Sequence, residues 1–251
     1  MKKNIIYLFA HQDDEFGVFS DIYRNKEENN IYIFYLTNGT SSAIKKNYLS
    51  IRDRESIKVL TKLGIKKKNI FFLGKKSDVF CNQLYLNLNK VYNKLVKNLK
   101  KIGNIDMIVT HAWEGGHEDH DACNLISRKI ASQFNIMHNS FEFYLYNSYK
   151  TRFIYFRVFN PLIKKGKKIR SIFSERIFFI SLLFNYKSQF KIWIGLYPFI
   201  IFHYLFYGYN FLSKLQKSIK IKKPHKGKLL YEKRKFCNFK DFKNKAKLFF
   251  L

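Results

Sequence analysis

The sequence predicts an α/β protein: a Rossmann-like three-layer fold with a mainly parallel sheet, carrying a basic, aromatic-rich, largely helical extension at its C-terminus. Three observations predict it. Over the first 150 residues, short apolar runs alternate with amphipathic segments, the pattern of a parallel sheet covered on both faces. Glycine and asparagine punctuate the joints between them. Beyond residue 150 the alternation lapses, and lysine and aromatic residues take over. At 251 residues the chain is long enough for one substantial core. It reads as one domain, 1–251, with an α/β core over 1–150 and an extension over 151–251 packed on that core.

Each element follows from local chemistry. "NIIYLFAH" is the first strand, and a helical segment follows from Gly17 to Lys26. "NIYIFYLTNG" is the second strand, closed by the turn signal Asn38-Gly39. In "SIRDRESIKVLTKL" the residues Ile51, Ile57, Leu60 and Leu63 fall near one helical face, and Gly64 stops the helix. "NIFFLG" is the third strand and "LYLNLNKVYNKLVKNLKKIG" the next long helix. "IDMIVTHAW" is the fourth strand. "EDHDACNLISRKIASQF" begins acidic, as suits a helix N-terminus, and "FEFYLYNSY" is the fifth strand. Past residue 150, helices are expected near Ser171 to Leu183 and Pro198 to Lys217.

Composition bounds the partners rather than the fold. Lys+Arg outnumber Asp+Glu by 47 to 18, a net charge of +29. Such a field favours nucleic acid, an acidic membrane surface or phosphorylated small molecules. No recognisable nucleic-acid module accompanies it, so nucleic acid is the weakest of the three. The lysine runs at 163–170 and 219–228 could meet phosphates, although a solvated surface explains them as well. No Walker loop or G-x-G-x-x-G run is present, so no nucleotide cofactor is implied. Cys81, Cys123 and Cys237 form no CxxC pair, which fits isolated thiols in a reducing compartment. The apolar run behind "MKK" is too short for a secretory segment and reads as a buried strand. Residues 192–212 lack Asp, Glu, Lys and Arg and are just long enough to span a bilayer. Pro198, His203, two glycines and four tyrosines within that stretch favour a buried or interfacial segment instead. The expected location is cytoplasmic, with peripheral contact to an anionic membrane.

The chemistry-bearing residues gather after the first and fourth strands. In such sheets ligands sit at the carboxyl ends of the strands. There stand "AHQDDE" (10–15) and "HAWEGGHEDHD" (111–121), which together hold four of the seven histidines. A hydrolytic metal site needs about three N or O ligands, an open position for water and a nearby base. His11 and Asp14 are three residues apart, as are His117 and His120. Asp13 could take a proton from a bound water, and Asp119 could orient a histidine through its ring N–H. Spacing leaves open whether His117 or His120 is the ligand. Gly115 and Gly116 would let the backbone approach a ligand closely. His138, His203 and His225 read as structural or surface residues. Tyr186, Ser188 and Gln189 could line a pocket or simply pack.

"AHQDDE" followed by "GGHEDHD" resembles the LmbE/PIG-L family of zinc-dependent N-acetylglucosaminyl deacetylases, marked by A-H-x-D-D-E and a later H-x-D-H. The resemblance spans about the first 130 residues, and "LTNG" before "RDRESIKVLTKLGI" shares it. "YKSQ" (186–189) and "LLYEKRKF" near the end look similar to the family's C-terminal segments. The resemblance implies Zn2+ bound by His11, Asp14 and His120, with Asp13 as general base. It implies His117 as acid or oxyanion partner, oriented by Asp119, and Arg52 in contact with substrate. It further implies removal of an N-acetyl group from an amino sugar, lipid- or nucleotide-linked, destined for a surface polysaccharide or glycolipid. The alternatives are an amidase of the same fold with another N-acyl substrate, and a non-catalytic basic protein associated with membrane or nucleic acid. Gln12 replaces a common proline and "FGVF" a glycine-rich run, so the pocket's shape departs from the family pattern.

Overall fold

The computed structural model describes residues 2–41, 46–151, 155–217 and 221–251. Its centre is a seven-stranded sheet. The strands β1 (Asn4–Phe9), β2 (Asn30–Tyr35), β3 (Ile70–Phe72), β4 (Met107–His111) and β5 (Ser140–Phe143) are mutually parallel. A short pair, β6 (Tyr146–Asn147) and β7 (Arg157–Val158), lies apart from them. Two antiparallel strands, β8 (Lys167–Arg170) and β9 (Tyr209–Lys214), complete the sheet in the order β3-β2-β1-β4-β5-β9-β8. The order reverses between β1 and β4, which pair with Ile5 opposite Met107. That reversal opens a crevice at the strands' carboxyl ends, where doubly wound sheets bind ligands.

Period-two alternation divides the core. Ile5, Tyr7 and Phe9 face one layer, and Ile6, Leu8 and Ala10 the other. The first layer holds the helices α1 (Phe19–Asn25) and α2 (Lys46–Lys62). Helix α2 ends in a Schellman turn: Ile65 N–H donates to Leu60 O at 2.9 Å, and Gly64, at φ +95°, donates to Thr61 O at 3.0 Å. A short helix α3 (Leu73–Ser77) follows β3 without a loop. The second layer holds α4 (Leu88–Ile102), whose Leu88, Val91, Leu95 and Leu99 form one buried stripe, and α5 (Glu118–Gln133), buried over almost its whole length.

The C-terminal region differs from expectation. Helix α6 (Phe173–Leu183) falls where the sequence places it. The helix expected over 198–217 is instead three things. After the single-turn α7 (Phe190–Trp193) come the short α8 (Tyr197–Phe202), a π-turn at His203–Tyr207, and then β9. Gly208 causes the break. It sits in the left-handed region at φ +55°, and its N–H reaches back to His203 O at 2.9 Å. From there the chain is extended beside β5, with Phe143 opposite Leu212. The sheet is therefore mixed, although mainly parallel. Among the described residues, no helix is long and apolar enough to cross a membrane, and residues 192–212 are spent on this helix, turn and strand. Part of the 163–170 lysine run is the edge strand β8. Of the 219–228 run, 219 and 220 lie outside the described residues. The chain closes with α9 (Leu230–Lys233) and α10 (Phe239–Phe250). Helix α10 buries Phe242, Ala246 and Phe249 against the second layer.

Candidate active site

The two acidic, histidine-bearing turns meet at the crevice between β1 and β4. Leaving β1, the chain turns at Asp13, whose φ of 117° is a left-handed conformation rare for a residue with a side chain. The turn is held from several sides. Asp14 Oδ2 accepts from His11 N–H at 2.7 Å, and Glu15 Oε2 accepts from Asp13 N–H at 3.0 Å. Glu15 is itself fixed by the Tyr186 hydroxyl at 2.7 Å. Backbone strain of this kind persists only where the surroundings over-determine it.

Three ligand atoms converge. His11, Asp14 and His120 each present one such atom, all buried and within 4.8 Å of one another. His120 Nε2 lies 3.2 Å from Asp14 Oδ1, yet neither of its ring nitrogens makes a hydrogen bond. Burial alone would raise the Asp14 pKa, but His120 and His11 beside it hold it well below the usual carboxylate range. Buried polar groups are ordinarily satisfied. A buried carboxylate facing unbonded imidazole nitrogens suits a divalent cation of the zinc type, which takes N and O donors at about 2 Å.

The other members of the two clusters divide their labour. Asp13 Oδ2 accepts from the Trp193 indole N–H at 3.1 Å and pairs with Arg52 at 3.2 Å. Burial pushes its pKa up to about 7, with Arg52 opposing the rise. Arg52 also donates to the carbonyls of Gly39 and Gln12. His117 caps α5: its Nδ1 accepts from Asp119 N–H at 3.1 Å. That contact leaves the proton on Nε2. Burial holds the imidazole's pKa well below its usual value, so the ring is neutral. The Asp119 carboxylate reaches His11 Nε2, at 3.0 Å, rather than His117. It also accepts from Asn82 N–H at 2.6 Å and Leu84 N–H at 2.9 Å. The imidazole that Asp119 orients is therefore His11.

Glu114, Asp121 and His111 of the second cluster brace the backbone around the site. Glu114 accepts from Leu145 N–H at 2.7 Å, Tyr146 N–H at 3.2 Å and Asn147 Nδ2 at 3.0 Å, which ties the loop after β4 to β6. Asp121 accepts from the backbone N–H of Glu114 and Gly115, both at 3.1 Å. Burial pushes the pKa of His111 down to about 3. It stays neutral and accepts from Ala10 N–H at 3.1 Å, which ties β1 to β4. Gly116 is approached by backbone rather than by a ligand: a β-carbon there would lie 1.9 Å from Tyr146 O.

A cleft of about 330 Å³ opens over these residues. Several of its walls were not evident from sequence. Cys81, read as an isolated thiol, sits 3.4 Å from His11 Nε2. Tyr146, Trp193, Leu196, Arg234 and Phe236 line the opening. Gln189 also lines it, whereas Ser188 is bonded to Glu55 and Tyr186 to Glu15. His203 and His225 bond to nearby carbonyls. Only long-range packing reveals Trp193, 180 residues away from Asp13.

Fold and site together define a doubly wound α/β protein with a buried His/Asp cluster at its switch point. Residues 6–131, half of the chain, match the model of the PIG-L family, GlcNAc-PI de-N-acetylase. The chain belongs to that family, and hence to a family of deacetylases. Solved structures agree on the fold. N,N'-diacetylchitobiose deacetylase from Pyrococcus horikoshii superposes with a TM-score of 0.58 at 18% identity, covering 85% of this chain and 83% of that one. The zinc-inhibited form of teicoplanin deacetylase Orf2 gives 0.60 at 13% identity, over 84% and 96%. A conserved protein from Thermus thermophilus gives 0.57 at 15%, over 85% and 93%. No curated protein sequence matches the chain.

Proposed function

We propose that this chain is a zinc-dependent hydrolase that removes the N-acetyl group from an N-acetylated amino sugar, a glycan or glycolipid precursor with a lipid or nucleotide carrier. One observation carries the reading: His11, Asp14 and His120 converge with an ionisable carboxylate, Asp13, in the same turn. Family membership and the acetylated substrates implied by the names of the two deacetylase neighbours support it.

His11, Asp14 and His120 would hold the ion, and Asp119 keeps the His11 ring in place through Nε2. A divalent ion there supplies a Lewis acid and a water whose pKa falls toward about 7. Asp13 accepts the proton of the attacking water. Arg52 and the Trp193 N–H hold its carboxylate in line. His117, neutral and protonated on Nε2, donates a hydrogen bond to the developing oxyanion. As the C–N bond breaks, the proton taken by Asp13 passes to the amine, and acetate is the second product. Arg52, with its Nη2 spent on Asp13, contributes to substrate binding mainly by shaping the wall.

The test is acetate release from lipid-linked and nucleotide-linked N-acetylhexosamines, with metal analysis alongside. About one zinc per chain is expected, lost in His11→Ala and retained in Asp13→Asn, which should release no acetate. Bound metal with no hydrolysis of any acylated sugar would sink the proposal.

A further inference from the structure

The exposed apolar surface of this protein is concentrated in one place. Of the sixteen large hydrophobic residues exposed among the described residues, ten lie between 172 and 207. They sit on elements that pack against one another. Helix α6 abuts the π-turn through Arg176, which donates to Leu205 O at 3.1 Å. At one end Phe184 and Phe190 both pack on Tyr197, at 6.0 and 5.7 Å between ring centroids. At the other end the rings of Phe202 and Phe206 lie 4.5 Å apart, tilted at 39°. Phe206 and Ile194 are each 66% exposed. Isolated apolar residues on a surface are ordinary, but a contiguous set marks a contact.

The same segment borders the cleft. Trp193 and Leu196 line its wall, while Phe190 and Ile194, one helical turn around, face outward. The charge on this face is of one sign. Glu175, its only acidic residue, is paired with Arg24 at 2.8 Å. Lys187 and Lys191 are exposed beside the aromatic residues. A second copy would bring the same cations and another +29 chain against it, and like charge opposes such pairing. An anionic bilayer complements both features: its acyl boundary takes the phenylalanines and its headgroups the lysines.

We propose that the face formed by α6, α7, α8 and the π-turn docks on an anionic membrane surface and holds the cleft mouth at the headgroup level. The link to catalysis rests on the deacetylase reading above; the docking itself does not. No helix enters the bilayer core; side chains insert at its boundary.

The experiment is flotation of the full chain with phosphatidylcholine vesicles, with and without about 30% phosphatidylglycerol. The variants are Ile194→Ser/Phe206→Ser on the proposed face and Leu248→Ser on α10, all at exposed positions, with circular dichroism confirming the fold. Binding to the anionic vesicles is expected. The double variant should bind more weakly by roughly tenfold or more, and Leu248→Ser should match the unaltered chain. Two results would overturn the proposal. One is equal binding by all variants that vanishes in high salt, which is diffuse attraction to lysines. The other is concentration-dependent self-association, abolished by the double variant, with no vesicle binding. Acetate release from a water-soluble N-acetylated sugar is measured in parallel. Failure there and with the lipid-linked and nucleotide-linked sugars above removes the hydrolase reading and leaves the vesicle result standing.

Discussion

The two parts of the sheet are built on different principles. From β3 to β5 the strands are parallel, and every residue proposed to hold the metal comes from the turn after β1 or the first turn of α5, which follows β4. From β9 to β8 the strands are antiparallel, and the outermost carries Lys167, Lys168 and Arg170. The first part creates the chemistry. The second closes the sheet and sends Trp193 back to Asp13 and Tyr186 back to Glu15. The carboxylate proposed as the base, Asp13, is thus placed by its own turn and held by a residue 180 positions away.

The sharpest way to break that division is at Asp13. Asp13→Asn should lower kcat by roughly a hundred- to ten-thousand-fold, the range for loss of a general base, with the metal content unchanged. The same change has a sign in stability. Burial lifts the folded pKa of Asp13 from 3.8 to about 7. The folded state therefore holds the proton more tightly than the unfolded one. The group's stabilising contribution is complete below the unfolded value and is lost as pH rises through the folded one. The metal-free Asn variant should accordingly melt higher than the metal-free parent at neutral pH, and the two should converge near pH 4. Thermal melts across that range check it.

Phe242 tests whether the C-terminal region is integral to the core. It is fully buried among the rings of Trp113, Tyr85 and Tyr231. Phe242→Ala should cost about 3–5 kcal/mol in unfolding free energy, read by denaturant titration. A loss near zero would mean that the tail packs without supporting the core. Trp193→Phe is a milder test. It keeps the ring's bulk and removes one hydrogen bond to a charged acceptor, worth about 1.5–3 kcal/mol. A fall in kcat of tenfold or somewhat more is expected. The acid limb of the pH profile should move upward, because the ionised form of Asp13 loses a donor.

These contrasts explain what could be read from the sequence. The parallel half was legible because its elements are bounded by signals: Asn38-Gly39 after β2, Gly64 after α2, and the acidic start of α5 after β4. The candidate ligands stood out because His11 and Asp14, like His117 and His120, sit three residues apart after a strand, although spacing left His117 and His120 undecided and the family resemblance implied the choice. β9 was not legible. "FIIFHYLFYGYNFL" is apolar throughout, so its period cannot separate strand from helix. Only Gly208, in a left-handed turn, decides the matter. The partner of the Asp119 carboxylate was hidden for another reason. Spacing leaves open which histidine Asp119 meets and the family resemblance implies His117, whereas the fold brings His11 within 3.0 Å. Cys81 and Trp193 carry no motif at all, and Arg234 lies in "LLYEKRKF" with no role assigned to it; tertiary packing brings all three to the cleft.

The smallest effect is expected at the outer edge, and it separates stability from solubility. Lys168 lies on β8 with its ammonium 4.5 Å from the centre of the Tyr209 ring. The side chain is exposed, so the cation–π contact is worth about 0.5–1 kcal/mol. Valine has the higher strand propensity and returns part of that. Lys168→Val should therefore leave the thermal midpoint nearly unchanged. Its other consequence lies outside the folded monomer. An edge strand offers unpaired N–H and C=O groups to any second chain, and lysines along it discourage that pairing. Removing one charge from a four-residue strand makes the edge flatter and more apolar. Light scattering at moderate concentration should then rise for Lys168→Val but not for Lys168→Arg, at equal unfolding free energy. If both variants scatter like the parent, these lysines belong to the chain's general basic character rather than to protection of its sheet.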